Sequence, residues 1–438
     1  MNILIQNGRV IDPASGFDHT ADVAVADGHI VAIAKTGEKL PANFKAEQTI
    51  DAKGCIVAPG LVDLQVRLRE PGYEHEGMLA SELTAAVAGG VTSLVCPPDT
   101  DPVLDEPGLI EMLKFRAEKL HRARVFPLGA LTRGLKGEVL TEMSDLTDAG
   151  CVGFSQAEVP LENTQVLQRA LQYAATFGYT VWLRPQEVHL GKGVAASGPL
   201  ATRLGLGGVP VAAETIALHT IFALMRSTKA RVHLCRISSA EGVELVRAAK
   251  KEGLAVTADV SINSLHLSDH DIGYFDSRAR VTPVLRQQRD RDALRAALAD
   301  GTLDALVSDH MPVDNDGKAL PFAEAESGAT GLELLLSLSI KWANDSKVGL
   351  LRALDVLTAQ PAKVLGKIQG QSESMGQLHV GGVADIVVFD PAVEWHVTPD
   401  ALHSQGKHTP FAFDMTGMSL PARVKATLVA GHLAYQAD

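Results

Sequence analysis

Apolar positions change their period twice along the chain. Residues 2–6 form a short apolar-rich run, and Asn7-Gly8 after it is a hairpin turn signal. A second run at 22–26 ends in Asp27-Gly28, Ile30-Val31-Ala32-Ile33 resumes, and a last run closes at Gly54-Cys55-Ile56-Val57. This predicts a small β unit. After Pro59-Gly60 the pattern becomes apolar strands alternating with amphipathic helices. Strands are predicted at 61–66, 92–96, 125–128, 152–155, 180–184, 231–237, 255–260 and 305–309. Helices are predicted at 81–88, 108–121, 141–149 and 163–177. Strand–helix alternation on this scale predicts an α/β fold with a parallel sheet closed into a (β/α)8 barrel. From Gly381-Gly382 the β pattern returns, with strands at 383–389 and a hairpin-like close over 422–435. Two β segments flanking a barrel predict one composite β domain. The expected organisation is therefore 1–57 and 366–438 as the two parts of that domain, around a barrel at 58–365.

The 438 residues suit a large barrel plus a smaller unit, and 46% hydrophobic with 21% charged residues is the balance of a soluble globular chain. A net charge of −12 argues against nucleic acid or an anionic membrane as partner, because both need a basic face. No apolar stretch reaches the length of a membrane span, and the first residues carry no basic-then-apolar leader, so a cytoplasmic protein is expected. Cys55, Cys96, Cys151 and Cys235 form no CxxC pair and sit in apolar, strand-like surroundings, which fits buried reduced thiols. There is no P-loop and no nucleophile elbow, and Gly205-Leu206-Gly207 lacks the strand context of a dinucleotide site.

Five runs carry a more specific signal. They are Val57-Ala58-Pro59-Gly60-Leu61-Val62-Asp63, Leu68-Arg69-Glu70-Pro71-Gly72, Ala88-Gly89-Gly90-Val91-Thr92, Val307-Ser308-Asp309-His310-Met311-Pro312 and the stretch 376–390. In that order they resemble the amidohydrolase superfamily and, within it, the dihydroorotases, nearly end to end. The resemblance implies a metal-dependent cyclic amide hydrolase with zinc at the barrel mouth. Active members carry His-x-His on the first strand, where residues i and i+2 share a face. Here those positions are Gln65 and Arg67. Neutral Gln is a poor zinc ligand, and Arg offers only donors and a positive charge. The other ligand positions that the resemblance implies fall on Gln156, Arg184 and Arg236, and only Asp309, which would be ligand and general base, is retained, with His310 beside it. His233 differs in parity from Arg236 and reads as a structural histidine.

Among substrate-like positions, Arg69 is retained, either to clamp a carboxylate or in a salt bridge near Glu70. Asp99 and Thr282 stand where the resemblance implies Asn, and Ile262-Asn263-Ser264 replaces a Pro-His-His run. Three arginines converging on Asp309 need compensation, from Glu158, Glu187, Asp259 or a bound anion. The expectation is no cofactor and no catalytic residue, with Asp309 and His310 vestigial. Inactive dihydroorotase-like chains serve as noncatalytic subunits of bacterial aspartate transcarbamoylase. The resemblance therefore implies a homodimer that binds the transcarbamoylase catalytic chain within a larger hetero-oligomer. Two alternatives remain open: an active dihydroorotase or hydantoinase-like enzyme with unrecognised ligands, and a pyrimidine-pathway anion sensor.

Overall fold

Eight short parallel strands alternate with helices, and their order around the ring follows the chain. In the computed structural model, which describes residues 2–368, 374–412 and 417–437, they are Leu61–Asp63, Val91–Cys96, Arg124–Pro127 continued by Gly129–Ala130, Phe154–Ser155, Thr180–Leu183, Arg231–Leu234, Val256–Ser261 and Ala305–Val307. A parallel bridge from Val66 to His310 joins the ends of the first and last, with the Arg67 N–H donating to the His310 carbonyl at 2.8 Å. Inside, Val62, Val95, Phe126, Trp182 and Val307 from five different strands pack into one apolar cluster. The barrel is thus a filled core that holds its polar residues at the C-terminal ends of the strands. The helices outside obey ordinary capping chemistry. In Thr164–Phe177, for example, Asn163 accepts the N–H groups of Gln165 and Val166, and Gly178 ends the helix at φ 75°.

The second unit is an eight-stranded sheet drawn from both ends of the chain. Its order is His432–Gln436, Ser419–Val429, Ile386–His396, Ile56–Pro59, Ile3–Asp12, Phe17–Ala26 and His29–Lys35, with Gln48–Asp51 also paired to Ile3–Asp12. The strand Ile56–Pro59 is the seam, antiparallel to Ile386–His396 and parallel to Ile3–Asp12. It carries the sheet past the expected boundary at 57. Gly60 then turns the chain into the barrel, where a Cβ would collide with Thr92. Of the C-terminal segment 366–438, residues 369–373, 413–416 and 438 lie outside the described residues.

One turn expectation fails. Asn7-Gly8 is no hairpin but a bulge inside Ile3–Asp12, where the pairing shifts between Ile5 and Gly8. Asn7 sits at φ 65° and is held by long-range bonds, its N–H to Asp22 and its side-chain amide to Asp51, both 2.9 Å. The hairpin falls at residues 13–16 instead. Asp27-Gly28 does turn, with both residues at positive φ.

Candidate functional site at the barrel mouth

Strand ends deliver the site. Arg69, Ala157, Arg236 and Asp309, each just beyond a barrel strand, adopt φ of 63°, 50°, 56° and 51°. For residues with a Cβ this left-handed region costs on the order of 1 kcal/mol each. The surrounding packing meets that cost and bends the chain over the mouth.

Three arginines meet there, as expected. Arg67 donates from Nε to Asp99 and from Nη2 to Glu158, both at 2.8 Å. Arg184 pairs through Nε with Glu158 and also reaches the Gln186 side chain and, at 3.2 Å, the Glu158 carbonyl. Arg236 pairs with Glu158, with Asp309 at 2.9 Å, and with the Thr282 carbonyl at 3.0 Å. All three guanidiniums are buried. Three carboxylates face three guanidiniums, so the cluster is neutral without a bound anion.

Glu158 is the shared partner. Burial by itself would raise its carboxyl, but Arg236, Arg184 and Arg67 outweigh burial and hold it well below the usual carboxylate range. Burial pulls the Arg236 guanidinium down, yet Glu158 and Asp309 more than offset this, and it stays firmly charged. Burial raises the Asp309 carboxyl, and Arg236 offsets that only in part. The other two expected counter-ions act elsewhere. Glu187 accepts the N–H groups of His189 and Leu190 at 3.0 and 2.7 Å, capping its own turn. Asp259 takes the backbone N–H of Arg236 at 2.6 Å and not its guanidinium.

The remaining positions are tied down locally. Gln65 is buried. Gln156 is satisfied at both ends, accepting from Thr132 at 3.0 Å and donating to the Leu135 carbonyl at 2.8 Å. The Thr282 hydroxyl is 2.6 Å from that of Ser327. Arg69 does not pair with Glu70, which binds Arg116 at 3.0 Å. It is locked to Glu76 at 2.7 Å and to the Pro312 carbonyl at 2.9 Å, and lies over the Tyr73 ring. His310 is fully buried, with Nε2 on Glu82 at 2.8 Å and Nδ1 accepting the Gly331 N–H at 3.2 Å, which points it away from the mouth. Asn263 and Ser264 are buried in the short helix Ile262–His266.

Comparison with known proteins now places the chain. Residues 54–242 match the dihydro-orotase-like family and residues 210–434 the amidohydrolase family. A "Dihydroorotase-like protein" from Pseudomonas aeruginosa is 43% identical over 437 residues, covering 100% of both chains. The chain is a dihydroorotase-like amidohydrolase. A "Dihydroorotase" from Geobacter sp. is 39% identical over 438 residues, again covering 100% of both. Among solved structures, L-hydantoinase from Arthrobacter aurescens superposes with a TM-score of 0.86 at 24% identity, covering 99% of this chain and 96% of its own, which supports the barrel-plus-sheet fold.

Amidohydrolases of this kind commonly hold zinc, and the mouth of this one does not fit it. The mouth's carboxylates, on Asp99, Glu158 and Asp309, are all paired with the three guanidiniums, and Arg67 Nη1 and Arg236 Nε are still buried without an acceptor. A cation would meet fixed positive charge there and no ligand that is not already engaged. Among the described residues one other group brings potential ligands together: buried His233, Cys235 and Asp259, with ligand atoms within 4.8 Å of one another. Its polar atoms are already engaged. His233 Nε2 lies 2.8 Å from Asp259 and Nδ1 2.8 Å from the Thr257 hydroxyl. Burial and then the Asp259 carboxylate push the Cys235 thiol far above its ordinary value. Parity does not settle how His233 and Arg236 face each other. The regular strand ends at Leu234 and Arg236 turns to φ 56°, so alternation does not extend between them; Asp259 takes the His233 ring and the backbone N–H of Arg236, whose guanidinium goes to Glu158 and Asp309.

Proposed function

We propose that this dihydroorotase-like chain is a noncatalytic homologue that acts as a structural, assembly subunit of aspartate transcarbamoylase in de novo pyrimidine biosynthesis. The observation that carries the noncatalytic part is the neutral plug. The Arg236 guanidinium pairs with Asp309, the one retained ligand and base position, and Arg67 with Glu158 and Asp99 fills the adjoining space. A zinc-bound water has its pKa lowered toward about 7. Without zinc no such nucleophile forms, and Asp309 has no water to deprotonate. The retained carboxylate-clamping position, Arg69, is spent on Glu76. The assembly part rests on the resemblance: a lost reaction with a retained fold leaves surface recognition as the selected property.

The test is dihydroorotase turnover by the purified chain with excess zinc, in the ring-opening and ring-closing directions, beside its metal content. Expected are no turnover and substoichiometric zinc, together with co-elution of the chain with the transcarbamoylase catalytic chain. Separate elution removes the assembly role.

A second reading, an active cyclic amidohydrolase, is favoured by the His233, Cys235 and Asp259 group and by relatives named dihydroorotase. Zinc at one per chain, with turnover abolished by Asp309→Ala, establishes it and ends the noncatalytic reading.

A further inference from the structure

Beside the plug the mouth opens into a cavity of about 420 Å³, walled in part by Gln186, Ser238 and Val284. That volume suits a small metabolite. Its charge is not balanced as the plug is. With Arg184, Arg236 and Glu158 assigned to the plug, the cavity keeps Lys192, Arg280 and Arg286 against Glu214 alone. Glu214 is itself occupied, since its two oxygens accept four bonds from the backbone and hydroxyls of Ser238 and Ser239 at 2.5 to 3.1 Å. This excess of positive charge occurs in a chain whose net charge is −12.

Arg280 stands out. Among the described residues no carboxylate, carbonyl or hydroxyl accepts from its guanidinium, and its Nε is buried without an acceptor. Burial pulls its pKa down with no carboxylate to offset it. Arg286 is buried and donates Nε to the Ser238 hydroxyl at 3.1 Å and Nη1 to the Val209 carbonyl at 2.7 Å. Those bonds hold its plane in place and leave Nη2 with no protein acceptor among the described residues. Lys192 is exposed at the rim. A desolvated guanidinium without a partner is costly. Its planar fork matches a carboxylate or a phosphate better than any neutral group. Such a cavity also concentrates anions by focusing their field.

We propose that this cavity binds a small organic anion bearing a carboxylate or phosphate group, gripped by the Arg280 and Arg286 guanidiniums with Lys192 at the rim. The site is distinct from the three-arginine plug, whose guanidiniums are all paired within the chain, and from Arg69, which is held by Glu76 and the Pro312 carbonyl. It goes beyond the noncatalytic reading and does not depend on the partner.

The experiment is calorimetric titration of the full chain, stripped of metal by a chelator, with inorganic phosphate and separately with succinate at matched ionic strength. Saturable binding of one or both is expected. A loss of about tenfold or more in Arg280→Gln and in Arg286→Gln, with intermediate affinity in Arg280→Lys, then confirms the grip; tenfold is ~1.4 kcal/mol. Binding of phosphate alone assigns a phosphate ester, and of succinate alone a carboxylate. Weak, unsaturable heats for both anions, or saturable binding untouched by Arg280→Gln, mean an adventitious ion only and overturn the proposal. Circular dichroism of each variant confirms that it is folded. Because metal is absent throughout, failure here leaves the zinc and partner tests unaffected.

Discussion

Two groups of arginines share the barrel mouth and differ in their company. Arg67, Arg184 and Arg236 meet Asp99, Glu158 and Asp309, three charges against three, and every guanidinium ends on a carboxylate from a distant part of the chain. Arg280 and Arg286 line the same mouth with no carboxylate of their own. The first group brings its counter-ions with it, so the chain is complete without a ligand at that point. The second group leaves donors unanswered, as a binding site must. Buried charge by itself therefore says little about function, and what decides is whether the chain supplies the partner.

The heaviest blow to this contrast is Glu158→Gln. The change removes the negative charge that three guanidiniums share and leaves them buried with only Asp99 and Asp309. Removing one partner of a buried ionic group costs about 3–5 kcal/mol, read as a lower urea midpoint. Glu158→Asp keeps the charge on a shorter arm and falls between. The pH dependence has a definite sign. The Glu158 pKa is depressed in the fold, so its contribution is present above the unfolded value of about 4.3 and is lost as pH falls below it. Wild type then loses stability on acidification more steeply than Glu158→Gln. Equal urea midpoints for the two at neutral pH would mean that the plug is not held by its charges.

Much of this plug was legible in the sequence, for a physical reason. The resemblance to dihydroorotases assigns the metal positions, and because these lie on or just past strands beside the motifs that carry it, period-2 alternation fixes the register at which Gln65, Arg67 and Asp309 stand there. What the pattern misses lies beyond the strand ends. His233 and Arg236 are opposed by parity in the sequence, but the regular strand ends at Leu234 and Arg236 turns to φ 56°, so alternation does not carry across to it. The partners of Arg69 were equally out of reach. Glu76 is near in sequence, but Pro312 lies 243 residues away, and only the closed barrel brings that carbonyl back. Asn7 shows the same limit in the sheet, where bonds to Asp22 and Asp51 convert a turn signal into a bulge. The unbalanced pair was visible only as Arg280 and Arg286 bracketing Thr282-Pro283. The signal that marks a site, a missing carboxylate, cannot be read from a motif.

A second test probes the polar layer beneath the plug. Asp63 is fully buried, with one oxygen accepting the N–H groups of Gln65 and Ser308 at 3.3 and 3.2 Å and the other without a partner. Burial pushes its carboxyl up to about 7, which the bonds from Ser308 and Gln65 only moderate. Burial, with Glu326 beside it, likewise pushes Glu76 up to about 7 despite Arg69. Both groups bind a proton more tightly in the fold than in the unfolded chain. Their contribution is full below about pH 4 and is lost as pH rises to about 7, at ~1.4 kcal/mol per pH unit for each proton. Asp63→Asn removes one of the two protons, so its urea midpoint falls less steeply over that range than that of wild type. Parallel profiles would show that Asp63 is ionised throughout.

The smallest expected effect sharpens the contrast most. Without added anion, Arg280→Gln changes stability by no more than about 0.5 kcal/mol, or raises it slightly, because it deletes a half-buried charge without orphaning any carboxylate. Arg236→Gln in the same mouth strips counter-charge from both Glu158 and Asp309 and falls in the range of the Glu158 variant. The two substitutions are chemically identical and made on neighbouring walls, so their difference in urea midpoint isolates the presence of a built-in partner from the mere burial of an arginine. If Arg280→Gln is as damaging as Arg236→Gln, then Arg280 has a partner within the chain, and the cavity beside the plug is structural as well. If the effect is small in buffer but grows on adding phosphate or succinate, because only wild type is stabilised by them, the missing counter-ion is the ligand.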